Sequence, residues 1–353
     1  MKLPDIKEPE FKAPAHHVGV TSRVGTWLGI AFGLCFVTGL ISHGVQHDWP
    51  WPTRPVNLYR ITQGVHVISG VASIPLLLAK LWSVYPKLFE RPLVKSVPHA
   101  LERGSIFVLL GASFFELVTG LFNAAQNYPW SFYFPTAHYA VAWIAIGSML
   151  VHIAVKIPVV RRTLEPRSEE RTVLSRRAFL RTTALTTGVA VVATAGVTVP
   201  WLRKVSVLAW RSGSTLPVNR TAKAANVVVP ANWRLKAGDR SFSLAELRAM
   251  PQTTVELPIA CVEGWSQNAT WTGVRVRDLV SGGDVRVESL ERDGLYRATT
   301  LPEAFAQDPL TLLALELDGE ELSPDHGFPC RLIAPNRPGV LQTKWVTSLE
   351  VTA

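Results

Sequence analysis

Four long apolar stretches in the N-terminal half constrain the fold of this chain more than any other feature. They occupy residues 24–45, 59–82, 104–124 and 137–160. Each is close to or above the roughly 20 residues that an α-helix needs to cross the hydrocarbon of a bilayer. A backbone in lipid must satisfy its hydrogen bonds internally, which favours helices. We therefore predict a four-helix membrane domain over residues 24–160, preceded by a cytoplasmic segment, residues 1–23.

The basic residues around these stretches predict the orientation of the helices. Seven arginines follow the fourth stretch, at positions 161, 162, 167, 171, 176, 177 and 181. Loops 46–58 and 125–136 contain only Arg54 as lysine or arginine. The positive-inside rule then makes the N-terminus and the arginine-rich loop cytoplasmic. The net charge of +9 is explained by these basic loops of a protein in a lipid bilayer. A nucleic-acid-binding protein would instead carry a basic stripe on a groove-facing element, so we expect no nucleic-acid partner.

A fifth apolar stretch follows the arginines. The hexapeptide Ser-Arg-Arg-Ala-Phe-Leu at 175–180 resembles the twin-arginine export signal, which would make the twin-arginine translocase a partner. We predict an arginine-rich loop over 161–182, an anchor helix and linker over 183–210, and an exported domain over 211–353. The alternative is an ordinary basic loop before a fifth span. Both alternatives place the C-terminal domain outside the cytoplasm.

Histidines within the apolar stretches require an explanation, because polar groups in hydrocarbon are costly and usually functional. His66 lies in the second stretch, and His138 and His152 lie in the fourth. On a helix the latter two lie within roughly 40° of one face and about 21 Å apart along the axis. Neutral imidazole is a common axial ligand of haem iron. We predict one or two b-type haems; the alternative for each histidine is a hydrogen bond to a backbone carbonyl.

The helix number and histidine placement resemble the four-helix b-type cytochrome subunits of formate dehydrogenases and related enzymes. The resemblance implies that His66 and His138 hold the haem near the outer face of the membrane. It also implies that His152 holds the inner haem. His17 is the candidate for the second ligand of that inner haem, and His99 is the alternative to His17.

A short β-like run at 257–260 delivers Cys261 into a turn that contains Gly264. A thiolate at a strand end can act as a nucleophile, a soft metal ligand or half of a disulfide. The chain has three cysteines and no Cys-x-x-Cys pair, so no disulfide framework is indicated. A Cys261–Cys330 disulfide and a simply buried thiol remain alternatives.

The sequence Cys-Val-Glu-Gly-Trp-Ser at 261–266, followed by Trp-Thr-Gly-Val at 271–274, resembles the molybdenum-ligating segment of the sulfite-oxidase superfamily. It is most similar to the branch that includes exported methionine-sulfoxide reductases. The resemblance implies that Cys261 is the thiolate ligand of a molybdopterin-bound molybdenum. The stretches 217–220, 326–332 and 342–345 resemble cofactor-binding segments of the same family. The implied cofactor contacts are Asn219, Arg220, His326, Arg331, Gln342, Thr343 and Lys344.

The remainder of the C-terminal part alternates short apolar runs with Gly and Pro, which is typical of a β-rich α+β domain. Short helical turns are predicted at 244–250 and 275–280. The whole chain is thus predicted to be a membrane helical bundle, a four-helix b-type cytochrome plus a fifth anchor helix, followed by an α+β, sulfite-oxidase-like molybdopterin domain.

We expect a membrane-bound molybdenum-dependent oxidoreductase in the cell membrane of a prokaryote. Its membrane partner would be quinol, and its substrate an extracytoplasmic sulfoxide, either a small molecule or an oxidised methionine of a protein. Electrons would pass through haem b to the molybdopterin domain. The alternatives are a sulfite-oxidase-like dehydrogenase that delivers electrons to quinone, and a non-catalytic electron-transfer or sensory module.

Overall fold

Five long helices form the N-terminal half in a computed structural model, which describes residues 14–88, 92, 96–164, 173–209 and 216–352. The helices are α1 Val18–Gln46, α2 Leu58–Leu88, α3 Val97–Ala124, α4 Phe134–Leu164 and α5 Val173–Ala195. All five are long and apolar enough to cross a membrane. The prediction of four apolar helices followed by a fifth is therefore confirmed.

The helices extend beyond the apolar stretches that predicted them, because backbone hydrogen bonds continue into polar flanks where hydropathy falls. The largest difference concerns α5, which begins at Val173. The twin-arginine sequence therefore lies in its first turns, where the sequence predicted a loop. The helix also ends at Ala195, and a 3₁₀ turn, Pro200–Leu202, follows. Pro200 has no N–H to donate and a fixed φ, which prevents the helix from continuing through the apolar residues beyond it.

The chain divides into two compact units. The first contains the described residues of Met1–Gly39, Val65–Gly196 and Lys204–Ala209, and the second those of Leu40–Gly64, Val197–Arg203 and Trp210–Ala353. This division differs from the predicted boundary at residue 211. The end of α1, the start of α2 and the connection between them belong with the C-terminal domain.

Two five-stranded sheets form the framework of the second unit. The strands are β1 Arg234–Ala237, β2 Arg240–Ser243, β3 Thr253–Ala260, β4 Ser266–Arg275, β5 Asp284–Ser289, β6 Ala298–Leu301, β7 Leu312–Leu317, β8 Glu320–Glu321, β9 Arg331–Ile333 and β10 Val346–Thr352. One sheet has the order β2-β1-β10-β5-β6; the other has the order β3-β4-β7-β8, with β9 also paired to β7. Only β1 and β10 pair in parallel among these described strands.

Three short helices complete the unit: α6 Leu244–Ala249, α7 Val276–Leu279 and α8 Glu303–Ala306. The first two confirm the predicted helical turns. Ser243 caps α6 in a capping box, in which its side chain accepts from Glu246 N–H while the Glu246 carboxylate accepts from the Ser243 backbone. The β-rich α+β fold predicted for this part of the chain is confirmed.

Alternation along β3 separates the core from the surface. Val255, Leu257 and Ile259 are buried, whereas Thr254 and Glu256 are exposed. A strand turns successive side chains to opposite faces, so the buried residues share one face. They pack in a core that also contains Cys261. The candidate metal ligand therefore lies at the end of a strand fixed by this core.

Candidate functional site

Cys261 is the first residue after β3 and begins a tight turn. Its N–H donates to the Trp265 carbonyl at 2.9 Å, and Gly264 N–H donates to the Cys261 carbonyl at 3.0 Å. Gly264 has φ +93°, a left-handed conformation that glycine adopts without steric cost. Cys261 itself is buried, with 1% of its surface exposed. The sequence correctly predicted the strand, the turn and the place of the thiol between them.

Residues 338–339 pack closely against the backbone just before Cys261. Ala260 forms a parallel bridge with Pro338. A Cβ added at Gly339 would lie 3.0 Å from Ile259 Cγ2 and 3.3 Å from the Ala260 carbonyl oxygen. A side chain at this position would therefore push the segment away from the strand end that carries the thiol.

Among the described residues, no group of three or more His, Cys, Asp or Glu is arranged to hold a metal ion. The three cysteines also form no disulfide. The family resemblance implies that a molybdenum bound by Cys261 takes its further ligands from the cofactor.

Three separate stretches of sequence meet around Lys344. Its ammonium donates to the Arg220 carbonyl at 2.8 Å and to the Asp325 carbonyl at 2.9 Å. His326 Nε2 lies 3.0 Å from the Leu216 carbonyl oxygen. The predicted cofactor-binding stretches 217–220, 326–332 and 342–345 are thus brought together by these contacts.

Arg331 supplies a second cation to this group. It is 5% exposed, and its guanidinium lies 5.5 Å from the centroid of the Trp271 ring. Its Nη1 donates to the His326 carbonyl at 3.4 Å, while Arg331 Nε and Trp271 Nε1 are buried and lack partners within the described structure. Buried donors are almost always paired, so an acceptor-rich ligand such as a pterin phosphate fits this position.

Burial controls the charges of the group. It lowers the pKa of Lys344 to about 7, an effect that the nearby Arg331 charge increases and that Asp325 and Cys261 oppose. Burial likewise lowers the pKa of Arg331 to about 10, with Cys261 acting in the opposite direction. The pKa of His326 is also lowered, first by burial. An arriving anion would stabilise the protonated lysine, because an opposite charge favours the charged form.

Gly327 allows the two cations to approach each other. It has φ +115°, and an added Cβ would lie 3.2 Å from the Cβ atoms of both Arg331 and Lys344. Its carbonyl accepts from Trp345 N–H at 3.3 Å. A side chain at this position would be strained and would separate the residues that the sequence assigns to the cofactor.

The four other predicted cofactor residues already have protein partners. Asn219 Oδ1 accepts from Arg220 N–H at 3.0 Å, and the Arg220 guanidinium pairs with Glu291 at 2.8 Å. Arg220 therefore contributes its carbonyl, rather than its charge, to the contacts around Lys344.

Gln342 and Thr343 are both buried. The Gln342 amide donates to the Arg337 carbonyl at 3.0 Å, and the Thr343 hydroxyl lies 2.9 Å from the Thr299 hydroxyl. Their side chains thus connect the strands and loops of the domain, while Gln342 Oε1 has no partner in the described part of the chain.

Sequence reasoning did not identify Asp325 and Trp271 as site residues. Asp325 Oδ1 accepts from Ala222 N–H at 2.8 Å and its carbonyl accepts from Lys344. Trp271 is fully buried beneath Arg331. Both residues adjoin or form part of the motifs already recognised, so their positions in those motifs were the available signal.

The first unit brings two of the predicted haem ligands together. The ring centroids of His66 and His138 lie 6.4 Å apart at an interplanar angle of 72°. Two imidazoles on one metal ion need a centroid separation of roughly 6 Å, given metal–nitrogen bonds of about 2 Å. His66 Nδ1 lies 2.8 Å from the Cys35 carbonyl oxygen, the type of contact that orients ligating histidines through their second nitrogen. Spacing and orientation at His66 both fit a haem.

His138 has a competing partner. Its Nε2 lies 3.0 Å from Glu116 Oε2, and its Nδ1 lies 3.1 Å from the Thr119 hydroxyl. Iron ligation through Nε2 would require Glu116 to give up this contact. The pairing of His66 with His138 therefore fits in distance but needs a rearrangement of one carboxylate.

The predicted inner pair has less support. Lys156, four residues after His152 on α4, forms an ion pair with Glu102. His17 Nδ1 accepts from Gly19 N–H at 3.1 Å. Ligation of an inner haem by His152 and His17 stays a prediction.

Comparison with protein families identifies the C-terminal domain. Residues 222–353 match the family model described as the oxidoreductase molybdopterin binding domain. This part of the chain is a sulfite-oxidase-type molybdopterin-binding domain, as its sequence motifs predicted. The match does not extend to the helical half, whose identity as a b-type cytochrome stays a prediction.

Proteins with a printed name are similar to part of this chain. A protein of Azospira oryzae, provisionally named protein-methionine-sulfoxide reductase subunit YedZ1, is 32% identical over 33% of this chain and 46% of its own length. The mitochondrial sulfite oxidase of Drosophila melanogaster is 29% identical over 35% of this chain and 28% of its own length. An uncharacterized oxidoreductase, YuiH, of Bacillus subtilis is 30% identical over 31% of this chain and 58% of its own length. The chain thus spans less than two thirds of each of these relatives.

Proposed function

We propose that this chain is a membrane-anchored, molybdopterin-dependent oxidoreductase that exchanges electrons between membrane quinol and an oxo-substrate outside the cytoplasm. The observation that carries the proposal is the meeting of Lys344 and Arg331 beside Gly327, with Arg331 over Trp271, which belongs to the same buried cluster as Cys261. A thiolate with one buried and one half-buried basic side chain near it matches what an anionic, metal-bearing cofactor requires.

Each of these residues has a distinct role. Cys261 is the protein ligand of the metal and tunes its reactivity through the turn that fixes the thiolate. Arg331 and Lys344 bind the phosphate or the polar edge of the pterin, since arginine and lysine are the usual partners of such groups. When bound, the molybdenum cofactor supplies two-electron oxo transfer.

The helical half is the electron-carrying and anchoring part in this proposal. Five helices of sufficient length and hydropathy support membrane anchoring, and the separation of His66 and His138 supports their joint ligation of a haem b. Haem b, when bound, supplies one-electron transfer between quinol and the molybdopterin domain. The positive-inside rule places that domain on the extracytoplasmic side.

A sulfoxide-like substrate, free or within a protein, is the first choice. It is supported by the YedZ1 relative, whose name refers to protein-methionine-sulfoxide reduction. The second candidate is a sulfite-oxidase-like dehydrogenase that delivers electrons to quinone, which the sulfite oxidase relative favours. Rates in both directions, together with the equilibrium potentials of haem and molybdenum, distinguish the two.

The test begins with the full-length chain purified in detergent, in which molybdenum, released pterin and haem are measured per polypeptide. Cys261→Ser should abolish turnover and change the electron paramagnetic resonance signal of the metal, because a hydroxyl replaces the soft thiolate. Cys330→Ser is the matched control, since Cys330 is equally buried but donates to the Val346 carbonyl. A parent chain without molybdenum, or an unchanged signal in Cys261→Ser, would contradict the proposal.

A further inference from the structure

The connection between α1 and α2 is fastened to the molybdopterin-binding domain by Asn336. Trp51 Nε1 donates to the Asn336 carbonyl at 2.9 Å, and Asn336 Nδ2 donates to the Pro52 carbonyl at 2.6 Å. Tyr59 N–H donates to Asn336 Oδ1 at 2.6 Å. Tyr59 lies in the first turn of α2, where backbone N–H groups have no partner within the helix. Asn336, with φ +52° and 3% exposure, therefore also caps this helix.

Two charged side chains strengthen the attachment. The Arg54 guanidinium contacts both carboxylate oxygens of Asp308, at 2.8 and 3.0 Å. Arg60 Nη1 donates to Asn268 Oδ1 at 2.6 Å. Bidentate arginine–carboxylate pairs are geometrically specific. Residues 40–64 are thus held to the domain at several independent points.

One face of α2 lies against the residues that flank Cys261. Tyr59, which is 1% exposed, packs in a buried cluster with Ala260. Gln63 lies one turn further along the same face, as residues four apart do. Its Nε2 donates to the Val262 carbonyl at 3.4 Å. The two residues of α2 therefore contact the chain immediately before and immediately after the thiol.

Gln63 is a buried polar side chain, and the domain supplies hydrogen-bond partners for only part of its amide group. It is 5% exposed, and its Oε1 is buried without a partner among the residues described. Buried amide oxygens nearly always accept a hydrogen bond. Since the amide nitrogen already contacts the Cys261 turn, a donor supplied by whatever occupies this site would complete the pairing.

We propose that Gln63 is a positioning residue of the candidate molybdenum site. Its Nε2 holds the Cys261 turn through Val262, and its Oε1 accepts from an N–H or O–H donor that arrives with the cofactor or the substrate. The inference rests on the proposed function for the identity of that cofactor. It makes the start of α2 a structural part of the metal site, which residues 222–353 alone do not complete.

The test uses Gln63→Met in the full-length chain, which keeps the length of the side chain and removes both hydrogen-bonding atoms. The matched control is Ile61→Ala, in the same turn of α2, because Ile61 is 58% exposed. Molybdenum and pterin per chain and the electron paramagnetic resonance signal of the metal are measured with and without a sulfoxide. Loss of a partner that orients a metal ligand typically lowers metal affinity 10- to 100-fold, so we expect at least about a tenfold weaker retention of molybdenum in Gln63→Met.

Measurements with and without sulfoxide show whether the cofactor or the substrate supplies the hydrogen-bond donor to Gln63 Oε1. A changed metal signal in the absence of sulfoxide assigns the donor to the cofactor, and a change only after sulfoxide is added assigns it to the substrate. Parental metal retention with a parental signal under both conditions would overturn the inference. Gln63→Asn, which keeps the amide but shortens its reach, replaces Gln63→Met where that variant does not accumulate, with the same expected direction.

A second measurement tests the positioning role of Gln63 even if the parent chain contains no molybdenum. Cys261 alkylation is followed in the cofactor-free chain on a Cys35→Ser, Cys330→Ser background. We expect faster alkylation in Gln63→Met than in Ile61→Ala, because the turn has lost its contact at Val262. Equal rates would overturn the positioning role of Gln63, whereas absent molybdenum in the parent with faster alkylation would reject only the proposed function.

Discussion

Lys344 carries its ammonium group into a partly buried position where its hydrogen-bond partners are the carbonyls of Arg220 and Asp325. Carbonyl dipoles replace only part of the hydration that the ammonium loses, so burial lowers the pKa of Lys344 to about 7. In an unfolded chain the pKa of a lysine is about 10.4. The cofactor-free domain therefore carries a lysine that is more easily deprotonated in the folded state than in the unfolded state.

The sign of the resulting pH dependence follows from proton binding. Between about pH 7 and pH 10 the unfolded chain binds one more proton at this site than the folded chain, so stability rises with pH in this window. Lys344→Met removes the cost of burying the charge. It should raise the thermal midpoint of the cofactor-free chain at pH 6 by about 5 °C or more, and by much less near pH 10.

The control for this prediction is Lys236→Met, because Lys236 is exposed and pairs with Glu350 at the surface. Exposed pairs contribute little to stability, so its midpoint should change little at either pH. Equal stabilisation by Lys344→Met at pH 6 and pH 10 would contradict the assigned role of charge burial.

At the scale of elements, α2 and α4 bring together two histidines that lie far apart in sequence. His66 is oriented through its contact with the Cys35 carbonyl on α1, and His138 contacts Glu116 and Thr119 on α3. All four helices of the predicted cytochrome thus contribute to the surroundings of this pair. Polar side chains inside an apolar bundle require such partners, because no water is available there.

Joint ligation predicts that the two histidines are equivalent in their effect on haem. His66→Ala and His138→Ala should each remove the same haem absorption from the purified chain, which is half of the haem if two are bound. The measurement is the reduced-minus-oxidised spectrum with haem content per polypeptide. His43→Ala, at the end of α1, should retain the parental spectrum, and loss of different haems in the two alanine variants would refute the pairing.

At the scale of the whole molecule, the proposed electron path connects a haem ligated in the first unit with a metal in the second. Both parts belong to one polypeptide, and helices α1 and α2 each contribute residues to both units. If both centres are bound as proposed, the covalent connection would give them a high effective concentration and remove the need for a diffusing carrier.

This arrangement predicts separable activities. His66→Ala should lose quinol-driven reduction of a sulfoxide by at least about 100-fold while retaining reduction driven by a soluble dye that donates directly to the molybdopterin domain. Steady-state rates with the two donors provide the measurement. Loss of both activities would indicate misfolding of the variant, and loss of neither would refute the internal electron path.

Local patterns in the sequence determined the helices and the main residues of the site. Apolar stretches of membrane length predicted all five helices, because hydropathy acts over neighbouring residues. The cysteine turn and the stretches around His326 and Lys344 were recognised because each candidate residue lies within a short motif. These segments retain their chemistry wherever the fold places them.

Only the tertiary structure placed residues 40–64 with the molybdopterin-binding domain. The contact between Tyr59 and Asn336 joins residues 277 positions apart, and neither residue lies in a motif or departs from the pattern around it. Gln63 likewise looks like an ordinary polar residue at the start of an apolar helix. Its proposed role depends on the Val262 carbonyl that it meets and on its buried oxygen, which has no donor among the described residues. The sequence alone determined which segments carry the candidate site residues, and long-range packing decided which residues surround the thiol, because burial and hydrogen bonding are properties of the assembled chain.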